Sequence, residues 1–298
     1  MSHALLDDLV RLLDLERLEM NLFRGESRDI GSPQVFGGQV LGQALMAACR
    51  TVPPERRVHS LHSYFLRRGD FDAPIVYEVD RSRDGASFTN RRVVAIQHGQ
   101  QIFHLSASFQ VEEPGPDHQV PPPCVEPPEN LPDLTATMRA HLHEMPEQQR
   151  RFWARDRPFE FRTVEGVITD GAAHPAVRHV WFRLAGHCPP DDALHRCLLA
   201  YVSDYNLLET ATLPHGLAYH REQVLLASLD HGLWFHRPFR IDEWLLYVTI
   251  SPSSSGARGM AFGRLFDRGG RLIASTAQEG LMRVTSLQAR SARTDHSA

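Results

Sequence analysis

Gly37-Gly38-Gln39-Val40-Leu41-Gly42-Gln43-Ala44-Leu45-Met46-Ala47-Ala48, residues 37–48, is the stretch whose reading decides the fold. The spacing predicts a helix over 37–49 with small and apolar residues all round it. Such a helix is buried on most sides, and its glycines let it approach a sheet closely. Strand-like runs follow at 59–66, 75–80, 91–98 and 101–110, rich in β-branched and aromatic residues and partly alternating. His98-Gly99-Gln100 reads as the hairpin turn between the last two. Ahead of all this, Leu5, Leu6, Leu9, Leu12, Leu13 and Leu15 fall mostly at helical spacing. The first half is therefore helix, long buried helix, then antiparallel meander.

The second half repeats that order. An apolar helix is expected over 191–208 and strands over 225–234, 244–250, 259–267 and 271–279, with Asp267-Arg268-Gly269-Gly270 as a hairpin turn. When the halves are aligned so that Phe65 falls on Phe235, Arg67 falls on Arg237, Gly99 on Gly269, Ile102 on Leu272 and Ala107 on Ala277, without a gap. The shared order of helix, meander and turn points to an internal duplication. A long apolar helix followed by an antiparallel sheet, twice over, is an α+β pattern in which sheet wraps helix and the two units can join into one sheet. Between the halves, eight prolines between Pro114 and Pro132 predict an extended linker, followed by a short polar helix over 135–151.

Composition narrows the function. The 298 residues are 42% hydrophobic and 23% charged with a formal charge of −4, which suits a globular protein and argues against a basic nucleic-acid binder. No apolar run approaches the ~18 residues that cross a bilayer. The acidic, amphipathic start lacks a signal-peptide pattern, and the last residues form neither a peroxisomal tripeptide nor a prenylation box, so a cytoplasmic location is expected. Cys49, Cys124, Cys188 and Cys197 form no C-x-x-C pair, which argues against a zinc ribbon or redox motif. All 32 basic residues are arginine, which excludes Schiff-base lysine chemistry and the lysine of a P-loop; genomic base composition explains the bias. There is no G-x-S-x-G, H-E-x-x-H or G-x-G-x-x-G.

Three segments carry candidate chemistry. Asp204 lies in the apolar run Leu198-Leu199-Ala200-Tyr201-Val202-Ser203-Asp204-Tyr205-Asn206-Leu207-Leu208, on a helix face with Ala200, Tyr201 and Leu208. A carboxylate there is either a helix-end cap or a buried base with a perturbed pKa. Ser228-Leu229-Asp230-His231-Gly232-Leu233-Trp234-Phe235-His236-Arg237-Pro238 is dense in polar and aromatic groups, and Ala274-Ser275-Thr276-Ala277-Gln278-Glu279-Gly280 is a strand ending near an amide. His62, His231 and His236 have no metal-ligand spacing.

Together these segments resemble acyl-CoA thioesterase II, a family with a double hotdog fold. The likeness runs from Leu5 to about Arg283. It is most specific in Gln34-Val35-Phe36-Gly37-Gly38-Gln39-Val40, His59-Ser60-Leu61-His62-Ser63-Tyr64-Phe65-Leu66-Arg67, Arg83-Asp84-Gly85-Ala86-Ser87-Phe88, Asp204-Tyr205-Asn206, Asp230-His231, Trp234 to Phe239, Glu243 to Tyr247 and Ala274 to Gly280. It implies an α+β chain of two fused hotdog units. These are an N-terminal hotdog over 1–113, a proline-rich linker and short helix over 114–150, a C-terminal hotdog with the catalytic set over 151–290, and a tail over 291–298. It also implies hydrolysis of fatty acyl-CoA of medium to long chain. Asp204 stands where the family has its Asp, Ser228 where it has Thr or Ser, and Gln278 where it has Gln. Asp204 and Ser228 would hold and polarise a water that Gln278 orients. Gly37 or Gly38 in the first half, or residues near Asp204 in the second, are candidate oxyanion donors, and the sequence does not choose between them.

His59 is a possible accessory residue, although a histidine beside a strand is more often structural. Coenzyme A is polyanionic, and Arg67, Arg91, Arg92 and Arg258 lie in or beside the matching strands, so they are candidates to meet it. The resemblance implies acyl-CoA as the partner, no cofactor, no metal, no nucleic acid, no stable membrane insertion, and a homo-oligomer (dimer or tetramer). Two other readings compete: a non-catalytic acyl-CoA binding protein, and a hotdog hydratase, which pairs an Asp with a His five residues on, where this chain has Glu209.

Overall fold

The chain opens with α1 (Ser2–Leu13) and a short hairpin of β1 (Glu16–Glu19) and β2 (Leu22–Gly25). The expected buried helix is α2 (Gly37–Cys49), in which every residue from Gly38 to Ala48 is buried. The meander is β3 (Arg56–Phe65), β4 (Ile75–Asp84), β5 (Phe88–Gln97) and β6 (Gln100–Val111). After the proline-rich segment come α3 (Leu134–Ala140), α4 (Glu147–Ala154), β7 (Phe159–Thr163) and β8 (Val177–Leu184). The second buried helix, α5 (Asp192–Ser203), precedes β9 (Val224–Ser228), β10 (Asp230–Phe235), β11 (Leu245–Ser255), β12 (Arg258–Asp267) and β13 (Leu272–Val284). This computed structural model describes residues 2–32, 34–145, 147–168, 170–217 and 224–284; the expected tail over 291–298 lies outside them.

Among the described residues all the strands belong to one antiparallel sheet in the order β1-β2-β4-β5-β6-β3-β10-β13-β12-β11-β8-β7, with β9 on β13. The halves meet along β3 and β10, where Leu61 stands opposite Leu233. The expectation that two helix-and-sheet units join into one sheet is met. The sheet's buried face packs on α2 and α5 in a single apolar core.

The duplication shows in the details. With Phe65 aligned on Phe235, β5 falls on β12 from end to end. β3 carries a bulge between Val58 and Ser60. In the second half the register on β13 slips between the pairs Ser228–Gly280 and Gly232–Ala277, and the same alignment sets Val58 on Ser228 and Ser60 on Asp230. The helices do not keep this spacing. α2 starts at Gly37 and α5 at Asp192, so α5 lies further ahead of its own strands than α2 does. The second half therefore has a longer crossing from helix to sheet, which holds the 3-10 turns of Leu208–His215.

Several elements differ from the sequence reading. Helix α5 stops at Ser203, short of the expected Leu208: Asp204 is its C-cap, and the chain turns away two residues later at Asn206, which takes the left-handed φ of 62°. The single strand expected over 225–234 is two strands broken by the bulge. The polar helix over 135–151 is two short helices. Strands β1, β2, β7 and β8 extend the sheet at both edges and are not anticipated. The proline-rich segment is extended but fixed: Gln119 bridges the Gly270 carbonyl (2.8 Å) and the Leu272 amide (3.0 Å), Trp181 Nε1 donates to Glu126 O (2.9 Å), and Pro122 lies against Gly270. Among the described residues no helix is long and apolar enough to cross a membrane.

Helices α2 and α5 run antiparallel in close contact. A Cβ on Gly38 would lie 2.1 Å from Tyr201 O, and one on Gly42 would lie 3.0 Å from Cys197 O. Beneath the far end of α2, Arg91 is almost fully buried. It donates to Thr51 Oγ1 (2.9 Å), Thr51 O (3.0 Å), Asn90 O (2.9 Å) and Asp84 Oδ1 (2.7 Å). Two outcomes follow for urea unfolding. Gly38→Ala lowers stability by about 2 kcal/mol or more, because the obstacle is backbone and cannot rotate away. Arg91→Leu lowers it by about 2–3 kcal/mol by stranding the Thr51 acceptors.

Candidate active site

The site begins where two helix ends meet. Asp204 caps the C-terminus of α5 and has its carboxylate beside the N-terminus of α2. Helix α2 starts after Phe36, which provides no side-chain cap, so the amides of Gly37 and Gly38 are left to face an anion, while those of Gln39 and Val40 bond Phe36 O. The Gly38 N–H donates to the Asp204 carboxylate. A Cβ on Gly37 would sit 2.7 Å from Asp204 Oδ2 and 3.0 Å from the Phe65 ring, so only glycine leaves this approach open.

The sheet supplies the other partners. Gln278, on β13 and 1% exposed, donates through Nε2 to Asp204 Oδ1 (2.7 Å) and to Ser228 Oγ (3.1 Å). A carboxylate only accepts, so the amide must present its NH2 side to Asp204. The Ser228 hydroxyl in turn bonds Asp204. Ser228 ends β9 immediately before the bulge. There the Asp230 carboxylate accepts the Glu279 N–H (2.6 Å), Leu229 N–H donates to Glu279 O (3.0 Å), and Phe65 N–H donates to Leu229 O (2.9 Å). The bulge thus ties Ser228, Gln278 and the end of β3 together, a common use of bulges beside active sites.

Burial pushes the Asp204 carboxyl above the ordinary aspartate range, and hydrogen bonds from Gln278, Gly38 and Ser228 oppose that push without cancelling it. Aromatic rings wall the place: Phe36 lies 4.4 Å from Tyr205 and 5.2 Å from Tyr201 between ring centroids, and Phe65 packs on Phe103. A buried carboxylate held by neutral donors, beside a helix N-terminus and with a strengthened hold on protons, can act as a general base. Among the described residues no group of three His, Cys, Asp or Glu side chains is placed to hold a metal ion.

The remaining sequence candidates scatter. His59 is about 20 Å of strand away from Phe65. Its ring bonds Ser108 Oγ (2.9 Å) and lines a separate cleft of about 210 Å³ with Arg57, Arg196, His236 and Arg237. It does not reach Asp204. Arg91 is almost fully buried, with its guanidinium taken up by Thr51, Asn90 and Asp84. Arg92 is exposed on the opposite face of β5 from Arg91, away from the helices. Arg258 is exposed and pairs with Glu279 (2.8 Å). Arg67 is exposed just past Phe65 and donates to Gln101 O (2.6 Å), which leaves it at the rim. Sequence reading assigns no role to Ser203, His231, Tyr247 and Thr276, a buried polar cluster behind Asp204, although each lies in a segment quoted above.

Known proteins bear on this arrangement. The profile described as "Acyl-CoA thioesterase" matches residues 149–281, and that of "Acyl-CoA thioesterase N-terminal domain" matches 24–110. The chain is 42% identical to acyl-CoA thioesterase 2 of Haemophilus influenzae over 94% of its own length and 99% of that protein. It is 41% identical to human acyl-coenzyme A thioesterase 8, over 92% of this chain and 88% of that one. The crystal structure of an acyl-CoA thioesterase II from Mycobacterium marinum superposes with a TM-score of 0.77 at 43% identity, covering 93% of this chain and 99% of that one. At 19% identity, a protein with a hot dog fold from Alicyclobacillus acidocaldarius shares the architecture, with a TM-score of 0.74 over 93% of this chain and 98% of that one. The chain belongs to the acyl-CoA thioesterase II family and has its double hotdog fold.

Proposed function

We propose that this thioester hydrolase cleaves fatty acyl-CoA of medium to long chain to free fatty acid and CoA, with Asp204 as the base and Ser228 and Gln278 placing the water. The observation that carries the reading is the Asp204 carboxylate, buried and held by three neutral donors at the start of α2. A water against it loses a proton to the carboxylate as its oxygen bonds the thioester carbonyl carbon. The negative charge that develops on the carbonyl oxygen is met at the N-terminus of α2 by the Gly37 N–H, since Gly38 serves Asp204 and the amides of Gln39 and Val40 bond Phe36 O. When the intermediate collapses, the C–S bond breaks and the sulfur leaves as a thiolate. A thiol pKa near ~8.5 makes that departure feasible without a dedicated acid. The proton on Asp204 passes to the products or solvent, and the base is restored.

The surroundings support an acyl substrate. Phe36, Phe65, Tyr201 and Tyr205 offer an apolar wall, and Leu66 and Arg67 are exposed at its outer edge. An apolar wall suits the acyl chain, and a rim arginine suits the anionic end of CoA. Of the four arginines considered, Arg67 and Arg258 are both exposed, Arg258 paired with Glu279 beside Gln278, and both fit that role.

Free-thiol release from acyl-CoAs of increasing chain length tests the proposal. Wild type is expected to release CoA fastest from medium to long chains, and Asp204→Asn to lose at least about 100-fold in kcat. Saturable binding without thiol release at any chain length would make the protein a binder instead. Because the base must be ionised and burial raises its pKa, kcat/KM falls as pH drops, through a limb lying above the ordinary ~3.9 of aspartate. Gly37→Ala keeps the fold but lowers kcat/KM by about 100-fold, since its methyl group displaces the Asp204 carboxylate and the Phe65 ring.

A further inference from the structure

Behind Asp204, on the seam between the two halves, lies a histidine that the proposed reaction does not use. His231 is on β10 opposite Ser63 of β3, and its side chain is fully buried. Ser63 Oγ donates to its carbonyl (3.0 Å). Its ring Nε2 lies 3.0 Å from Ser203 Oγ. Its Nδ1 lies 4.0 Å from Asp204 Oδ1 and has no hydrogen-bond partner among the described residues. At that distance the ring and carboxylate form a charge–dipole contact, not a hydrogen bond. Burial lowers the imidazole pKa to about 3, so the ring is neutral wherever the enzyme works.

A neutral imidazole carries one N–H, and its place is coupled to that of the Ser203 proton. The Ser203 hydroxyl has one proton and two acceptors within reach, Ala200 O (3.0 Å) and His231 Nε2 (3.0 Å). If that proton goes to Ala200, Nε2 must carry the imidazole hydrogen, and Nδ1 then turns a lone pair toward the carboxylate. If it goes to Nε2, the imidazole hydrogen sits on Nδ1 and points at Asp204. The second arrangement favours the ionised carboxylate and the first opposes it. Ser203 is itself fixed, because Tyr247 OH donates to its carbonyl (3.0 Å) and bonds Thr276 Oγ1 (2.8 Å).

We propose that His231 is a positioning residue whose Nδ1–H faces Asp204 and favours its ionised form, a tautomer favoured by the carboxylate charge 4.0 Å away and completed when Ser203 gives its proton to Nε2 and not to Ala200. This rests on Asp204 being the base. The other titratable groups facing Asp204 are Tyr205, which follows it, and Tyr247 on β11. Burial pushes both phenols up, so they stay neutral. Asp230, at the bulge, is the nearby carboxylate that could produce a limb of its own.

The test is kcat/KM against pH for wild type, His231→Gln, His231→Asn and Ser203→Ala, with Asp204→Asn and Asp230→Asn as controls. Gln places an amide where Nε2 was and leaves no donor facing Asp204; Asn can place a donor where Nδ1 was. His231→Gln is expected to move the acid limb up by about one pH unit, lowering activity about tenfold below the limb while the alkaline plateau stays within about twofold. His231→Asn is expected to keep the limb near wild type, and Ser203→Ala to shift it upward by less. An unmoved limb in His231→Gln, or an equal loss at every pH, would overturn the role of His231. A limb that disappears in Asp230→Asn would overturn it as well. Full activity in Asp204→Asn would instead remove the base on which the inference rests. A nitrogen–proton correlation spectrum of wild type decides the tautomer without any variant: the proton is expected on Nδ1 of His231, and finding it on Nε2 overturns the proposal.

Discussion

The close antiparallel contact of α2 with α5 is the constraint on which the rest depends. Gly38 and Gly42 let the two backbones approach until side chains no longer separate them. The start of α2 is thereby set beside the end of α5, and the helix dipoles meet head to tail. A carboxylate at the C-terminus of its own helix is poorly placed. Asp204 tolerates that position because the amides of α2 face it and Gln278 and Ser228 reach it from the sheet. The same contact helps to bury the carboxylate, and burial strengthens its hold on a proton.

The duplication explains the scaffold, and its asymmetry explains the site. At the other pairing of helix ends, Asp191 accepts from the amides of Ala193 and Leu194, so the start of α5 is already capped. Aligning the halves through Phe65 and Phe235 places Val58 where the second half has Ser228, and Ser108, bonded to His59, where it has Gln278. The cleft in that region is polar, with Arg57, His59, Gln110, Glu112, Arg196 and His236 among its lining. Two copies of one plan have diverged: one start of helix is left open to an anion and the other is closed by its own side chain. The longer crossing after α5 is part of the same divergence, since it places Asn206 and the 3-10 turns just beyond Asp204.

Much of this was legible in the residues. A helix without a polar face has to be buried, and α2 is. Asp204 stands out as a charge in an apolar run. Other features needed three dimensions. Leu207 and Leu208 continue the apolar spacing past Ser203, so nothing in the pattern announces the early end of α5. The bulge at Leu229 has no composition signal, although it sets where Ser228 and Asp230 point. Strand parity carries information of its own: Arg91 alternates with Val93 and Ala95, all buried, whereas Arg92 takes the opposite face. Strand β7 alternates in the same way through Phe159, Phe161 and Thr163, and its short length hides it. The amide of Gly38 and the Nδ1 of His231 come to Asp204 from segments far apart in sequence.

The most direct test of the account is a crystal structure with a non-hydrolysable acyl-CoA in which a methylene ketone replaces the thioester. The account predicts the ketone oxygen at the Gly37 N–H at the start of α2, with Asp204 poised to hold a water roughly 3–3.5 Å from the carbonyl carbon. A ketone seated in the His59 and Arg237 cleft, or one turned away from Asp204, would contradict it.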